Sequence, residues 1–155
     1  RLLGLILCCT FVRNPRPAFA GVQPLVGFLP TTWAPIQLLS HFLLGAFSTA
    51  KLRAMLQKAL AEVSPAVFRT RLKAVLSTDV SSQLLAVSVP TLYLRASEDR
   101  LVPPSASELI AQLAPSMRIT QIHGPHCLLQ AAPVDAAQAV RGFVRELRAS
   151  APRQG

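Results

Sequence analysis

Apolar residues run through this chain in patterns that predict different elements. Leu2, Leu3, Leu5, Ile6 and Leu7 form an almost unbroken apolar run within residues 2–12. Such a run predicts a parallel strand covered on both faces. Residues 14–35 are rich in Pro and Gly and predict irregular structure, with Trp33 as a packing residue near the end. Residues 36–47 are apolar almost all round, which predicts a buried or pocket-lining helix. Ser48 or Thr49 can cap the next helix, whose Leu52, Met55, Leu56, Leu60 and Val63 share one face. Ser64-Pro65 is a second helix start, followed by Phe68, Leu72, Val75 and Leu76 on its apolar side. Thr78 or Asp79 can cap a last short turn that ends at Leu85.

The pattern changes after that turn. Residues 89–94 predict a compact strand entered through Pro90. Ser105 and Glu108 have capping-box spacing ahead of Leu109, Ile110 and Leu113. Residues 117–122 alternate like a strand, and Gly124-Pro125-His126 predicts a turn. Pro133 opens a final helix with Val140, Phe143, Val144 and Leu147 on one face, and a polar tail follows from Ser150. Strand, helix, strand, helix over 89–149 is a βαβα unit, the unit of parallel sheets. The predicted class is α/β, with a long helical insertion at 36–85 between the first two strands.

Composition narrows the class without identifying a partner. The chain has 155 residues, enough for one ordinary domain. Its 51% hydrophobic and 15% charged residues exclude long disorder. The net charge of +9 permits an acidic partner. Nucleic acid is not expected, because aromatics do not interleave with the charges and no nucleic-acid motif is present. Three cysteines, with Cys8 and Cys9 adjacent and no C-x-x-C, support neither a disulfide framework nor a zinc site. No cofactor or metal is expected. Apolar stretches are broken well short of the ~20 residues of a transmembrane span. Residues 1–20 mimic a signal segment ending at Ala18-Phe19-Ala20, which would make the protein secreted. Arg13, Pro15, Arg16 and Pro17 in the cleavage region favour the strand reading and a cytoplasmic protein.

Candidate chemistry gathers where the strands end. In open parallel sheets, function collects at the carboxyl ends of the strands. Asp99 falls just past one predicted strand and His126 just past the next. A carboxylate there can hold one imidazole nitrogen and leave the other free as a base. On spacing alone, a turn aspartate and a loop histidine remain the simpler account. Cys127 neighbours His126, but an active thiolate needs a basic partner in reach, so it reads as structural. Ser97, Ser105 and Ser107 fit turn and cap chemistry. His41 fits a core or insertion role, His123 has no evident partner, and Tyr93 reads as packing. Lys51, Arg53, Lys58, Arg69, Arg71 and Lys73 concentrate in the insertion. They read as solvated helix faces, or as a docking surface for an acidic partner such as an acyl carrier protein.

The run from Leu92 to Pro103, with Ser97-Glu98-Asp99-Arg100-Leu101-Val102-Pro103, resembles the acid-bearing segment of α/β-hydrolases. Gly124-Pro125-His126, followed by Pro133 and a helix, resembles the catalytic-histidine segment of that family. The offset of 27 residues between Asp99 and His126 is typical of the family too. Residues 2–12 resemble the strand after the nucleophile helix, and residues 14–88 the inserted lid. Pro125 stands where Gly often precedes the histidine, and Ala96 where Gly is common. Small lidded carboxylesterases look closest, including those that cleave methyl esters of carrier-bound acyl chains.

The resemblance implies a partial α/β-hydrolase of about three parallel strands with flanking helices and a helical lid. Residues 1–13 and 89–150 would form the core, 14–88 the lid, and 151–155 a tail. Asp99 and His126 would be the acid and base of a catalytic triad. The substrate would be a small-molecule ester or thioester, possibly carrier-protein-bound, with an apolar acyl pocket in residues 22–47. No G-x-S-x-G occurs in the chain, so the nucleophile elbow and oxyanion hole would lie outside it. The chain by itself would then be inactive. The alternatives are a non-catalytic hydrolase remnant that binds an acidic partner through its basic insertion, and a small secreted basic protein.

Overall fold

A computed structural model describes residues 2–18, 21, 24, 26 and 36–150. Trp33, the 151–155 tail and nearly half of the expected acyl-pocket segment 22–47 lie outside the described residues. Three parallel strands form one sheet in the order β1 (Leu5–Cys8), β2 (Thr91–Ala96), β3 (Arg118–Ile122). Leu5 pairs with Thr91, and Leu92 with Arg118. The helices are α1 (Ile36–Leu43), α2 (Ala50–Ala61), α3 (Pro65–Ser77), α4 (Ser81–Leu85), α5 (Pro104–Leu113), α6 (Leu128–Ala131) and α7 (Pro133–Ser150).

β2 is central and buried on both faces, as its apolar run requires. One face sends Leu92 and Leu94 into a cluster with Ile122, Leu128, Ala136 and Phe143. The other sends Tyr93 against Val12, Leu84, Ile110 and Met117. The sheet is therefore sandwiched between α7 with α6 on one side and α5 with α4 on the other. β2 starts two residues later than its apolar run. Pro90 has no N–H to give the ladder, although its carbonyl accepts from Leu5 N at 3.0 Å.

Several sequence expectations are corrected. β1 excludes Leu2 and Leu3, which are both 64% exposed. α1 is not buried all round: Leu38 and Phe42 are exposed, and only Ser40 is buried. It also stops at Leu43, because Gly45 adopts φ +52° and opens a separate 3-10 turn at Gly45–Phe47. The Ser105/Glu108 capping box does not form. α5 begins two residues earlier than that box would have it, at Pro104 after Pro103, and proline at the first position sets the helical φ without a side-chain cap. Thr49 and Ser64 do cap α2 and α3, accepting from Leu52 N and Val67 N.

The helical insertion is tied at its base. Val80 N donates to Val12 O at 2.7 Å, and Asn14 N to Thr78 O at 2.9 Å. Asp79 pairs with Arg13 Nε at 2.9 Å, so the chain leaves and re-enters the core at one neck. Beyond it, α2 and α3 bury no residue fully. Their Leu52, Leu56, Phe68 and Leu72 are half-buried on the faces expected, while Met55 is exposed. No helix among the described residues is long and apolar enough to cross a membrane.

Candidate active site

Asp99 follows β2, and His126 follows β3, at the carboxyl edge of the sheet. The loops that carry them are bonded together. Ser97 N donates to Ile122 O at 3.0 Å and Glu98 N to Gly124 O at 2.9 Å. Leu128, buried beneath the second loop, comes so close to Gly124 that a Cβ there would lie 2.7 Å from its Cδ1. Any side chain at position 124 would therefore displace Leu128.

The two side chains meet. His126 Nδ1 lies 2.9 Å from Asp99 Oδ2 and 3.2 Å from Oδ1. Asp99 Oδ1 also accepts the backbone N–H of Leu101 at 2.9 Å and of Val102 at 2.8 Å. These bonds fix the carboxylate plane and leave Oδ2 for the imidazole. The Asp99 side chain is 6% exposed and that of His126 22%, so the carboxylate is shielded while one ring edge stays reachable. A carboxylate can only accept, so Nδ1 carries a proton and Nε2 is the ring nitrogen that Asp99 leaves free.

Other sequence candidates fall around this pair. His123, expected to lack a partner, has two: Ser97 Oγ at 3.1 Å from its Nδ1, and the Phe47 ring edge-on at 5.0 Å. Ser97 therefore serves His123. Ser107 is buried and donates to Pro104 O within α5, while Ser105 is exposed on that helix. The Cys127 thiol is pushed up from its ordinary value, first by burial and then by the Asp99 charge, the opposite of an activated nucleophile. Tyr93 is buried and donates its hydroxyl to Thr10 O at 2.8 Å. Burial first, and then nearby Cys9 and Asp99, hold that phenol protonated beyond its usual range.

One contact had no sequence signal. Arg100 Nη1 lies 2.9 Å from His41 Nε2 and 3.1 Å from Nδ1, and its side chain passes over Gly45. Arg16 donates to the Arg100 carbonyl at 2.7 Å, and Cys127 N donates to Leu43 O at 3.0 Å. The insertion is thus clasped to both loops that bear Asp99 and His126.

A cavity of 230 Å³ opens beside Asp99, lined in part by Cys9, Tyr93, Val102, Ser107 and Gln121. A larger one, of 390 Å³, lies at the opposite ends of the strands against Leu84, Pro90 and Met117, with no titratable side chain on its wall. Of the two, only the first has Asp99 in its wall. Among the described residues no cluster of His, Cys, Asp and Glu is arranged to hold a metal.

No family model matches the chain, and no curated protein matches it in sequence. Solved structures do match. A thermophilic esterase from Thermogutta terrifontis, with malate bound, superposes with a TM-score of 0.79 at 22% identity, over 95% of this chain and 57% of that one. A hydrolase from Pseudomonas aeruginosa PA01 gives 0.74 at 20% identity, over 90% and 54%. A bromoperoxidase from Bacillus anthracis gives 0.70 at 16% identity, over 92% and 58%. The chain has a partial α/β-hydrolase fold. It spans somewhat more than half the length of these structures.

Proposed function

We propose that the chain is the C-terminal part of a serine hydrolase acting on carboxylic esters or thioesters. The contact between His126 Nδ1 and Asp99 Oδ2 carries this reading. In it, Asp99 fixes the imidazole tautomer and stabilises the imidazolium formed during reaction. His126 Nε2 takes the proton of a serine hydroxyl supplied from outside residues 1–155. The serine oxygen attacks the substrate carbonyl, and the tetrahedral intermediate collapses as His126 returns the proton to the leaving group. Water then enters by the same base and releases the acid. The insertion at 14–88 acts as a lid, and its apolar positions contribute to an acyl pocket. The clasp of Arg100 to His41 keeps that lid over the pair. The substrate is a small molecule, free or carried on a protein.

The test is turnover of short p-nitrophenyl esters. The 155-residue chain should show none above background. The upstream reading frame should encode a G-x-S-x-G elbow, and the extended protein should turn over the esters and lose activity on His126→Ala. Turnover by the 155-residue chain that is lost in His126→Ala would overturn the assignment of the nucleophile. An upstream frame without an elbow serine would overturn the hydrolase reading in favour of a non-catalytic remnant.

A further inference from the structure

Cys8 ends β1 and Cys9 follows it. Adjacent side chains on an extended strand point to opposite faces, so neighbouring thiols there do not meet. Cys9 breaks that rule with φ +45°, the only positive φ at a non-glycine among the described residues. Side chains with a β-carbon rarely adopt this conformation. Here it brings the two sulfurs to 3.9 Å. The bend is held from both sides, by Cys9 N donating to Leu94 O at 3.0 Å and by Tyr93 Oη donating to Thr10 O at 2.8 Å.

The two thiols differ in character. Cys8 is half-buried and Cys9 is buried at 7% exposure. The contact between the two sulfurs lowers the Cys8 thiol, burial opposes that, and the nearby His126 and Asp99 act in opposite senses. The same contact, and then burial, push Cys9 far above the ordinary thiol range. Cys127 is also pushed up, by burial. Of the two vicinal thiols Cys8 is the one a small reagent can reach, and the buried Cys9 sulfur lies 3.9 Å behind it.

We propose that Cys8 and Cys9 form a redox-active vicinal dithiol that a hydroperoxide converts to a disulfide. The Cys8 thiolate attacks the terminal peroxide oxygen. An S–O bond forms, the O–O bond breaks, and the departing oxygen leaves as an alcohol or water after taking up a proton. Cys9 sulfur then attacks the Cys8 sulfenic acid. The S–S bond forms, the S–O bond breaks, and hydroxide leaves with the Cys9 proton as water. The two thiols together lose two electrons and the peroxide gains them. The sulfurs close from 3.9 Å to about 2.05 Å in an eight-membered ring whose Cα atoms, adjacent in sequence, stand at about 3.8 Å, so closure draws on the bent backbone as well as on side-chain rotation. This chemistry needs no ester substrate and no serine, so it stands apart from the hydrolase reading.

The experiment uses the reduced 155-residue chain, a few equivalents of hydrogen peroxide, N-ethylmaleimide and peptide mass spectrometry. The peptide that holds both Cys8 and Cys9 should lose two hydrogens and refuse the maleimide. Cys127 should be alkylated, and dithiothreitol should restore the mass. Cys127→Ser should leave the reaction unchanged, and Cys8→Ser should abolish it. Cys9→Ala, a small apolar residue suited to the buried position, should leave a Cys8 sulfenic acid that dimedone traps. Circular dichroism confirms that each variant is folded. A disulfide that includes Cys127, an intermolecular disulfide, or a Cys8 sulfinic acid beside an alkylatable Cys9 would overturn the proposal.

Discussion

Asp99 Oδ1 is committed to two backbone N–H groups, which leaves Oδ2 as the oxygen that faces His126. Asp99→Asn can keep both backbone bonds through its amide oxygen, but it then presents an NH₂ group to Nδ1. A donor there requires Nδ1 to accept, so the imidazole should change to the Nε2–H tautomer. Nitrogen-15 NMR of the histidines reads this directly, with Nδ1–H in the native chain and Nε2–H in the variant. In the complete hydrolase the same substitution should lower kcat by about 10⁴-fold, since the base then presents a proton to the serine. Asp99 and His126 were legible in the sequence because each falls a few residues past an apolar strand inside a recognisable segment. The neighbours of the pair were not. Arg100 and His41 are 59 residues apart and meet only when the insertion docks. Ser97 and His123 lie in separate loops joined through the β2–β3 register. The meeting of Cys8 and Cys9 depends on a backbone φ that neighbouring residues give no sign of.

Elements with continuous apolar runs or clear periodicity emerged nearly where expected. β2, β3 and α7 sit against cores on known faces, so burial alone specifies them. Misplaced boundaries trace to local chemistry that overrode the pattern. Pro90 delays β2, Pro103-Pro104 replaces a capping box, and Gly45 cuts α1 short. α6 escaped notice because Leu128–Ala131 is a single turn with no period to detect. Packing under the histidine loop gives one test. Gly124→Ala would drive a Cβ into Leu128, 1% exposed and held in the core. The cost should be about 1–3 kcal/mol, seen as a lower urea midpoint. The neck of the insertion gives a second test. The Ser81 hydroxyl and N–H, followed by Arg13, hold the Asp79 carboxyl below its usual value. Its folded value lies below its unfolded value, so this support is present above about pH 4 and is lost as pH falls through the lowered value. Amide exchange at residues 78–82 should accelerate in that acid range, relative to the rest of the chain. Asp79→Asn should remove the pH dependence.

At the scale of the whole molecule, the two edges of the sheet are unlike. β3 carries Arg118 and Gln121, and Arg118 pairs with Glu146 of α7. Charged and polar side chains of that kind discourage a further strand. β1 has none: its Leu5-Ile6-Leu7-Cys8 pairs on one side with β2 and has no strand on the other among the described residues. Ile6 is 38% exposed, and Leu2 and Leu3 lie open beside it. An apolar edge with unpaired N–H and C=O groups is a template for another strand. The +9 charge opposes association of like chains, but salt screens it beyond about 8 Å at physiological strength. Sedimentation of the 155-residue chain should therefore show a weight-average mass that rises with protein concentration, and rises further with added salt. Ile6→Lys places a charge within the edge and should hold the chain monomeric under both conditions. If burial of the edge drives association, amide protection in residues 5–8 should increase with concentration in the native chain and stay constant in the variant. A native chain that remains monomeric at all concentrations, with strong protection in residues 5–8, would mean that this edge is covered within the chain itself.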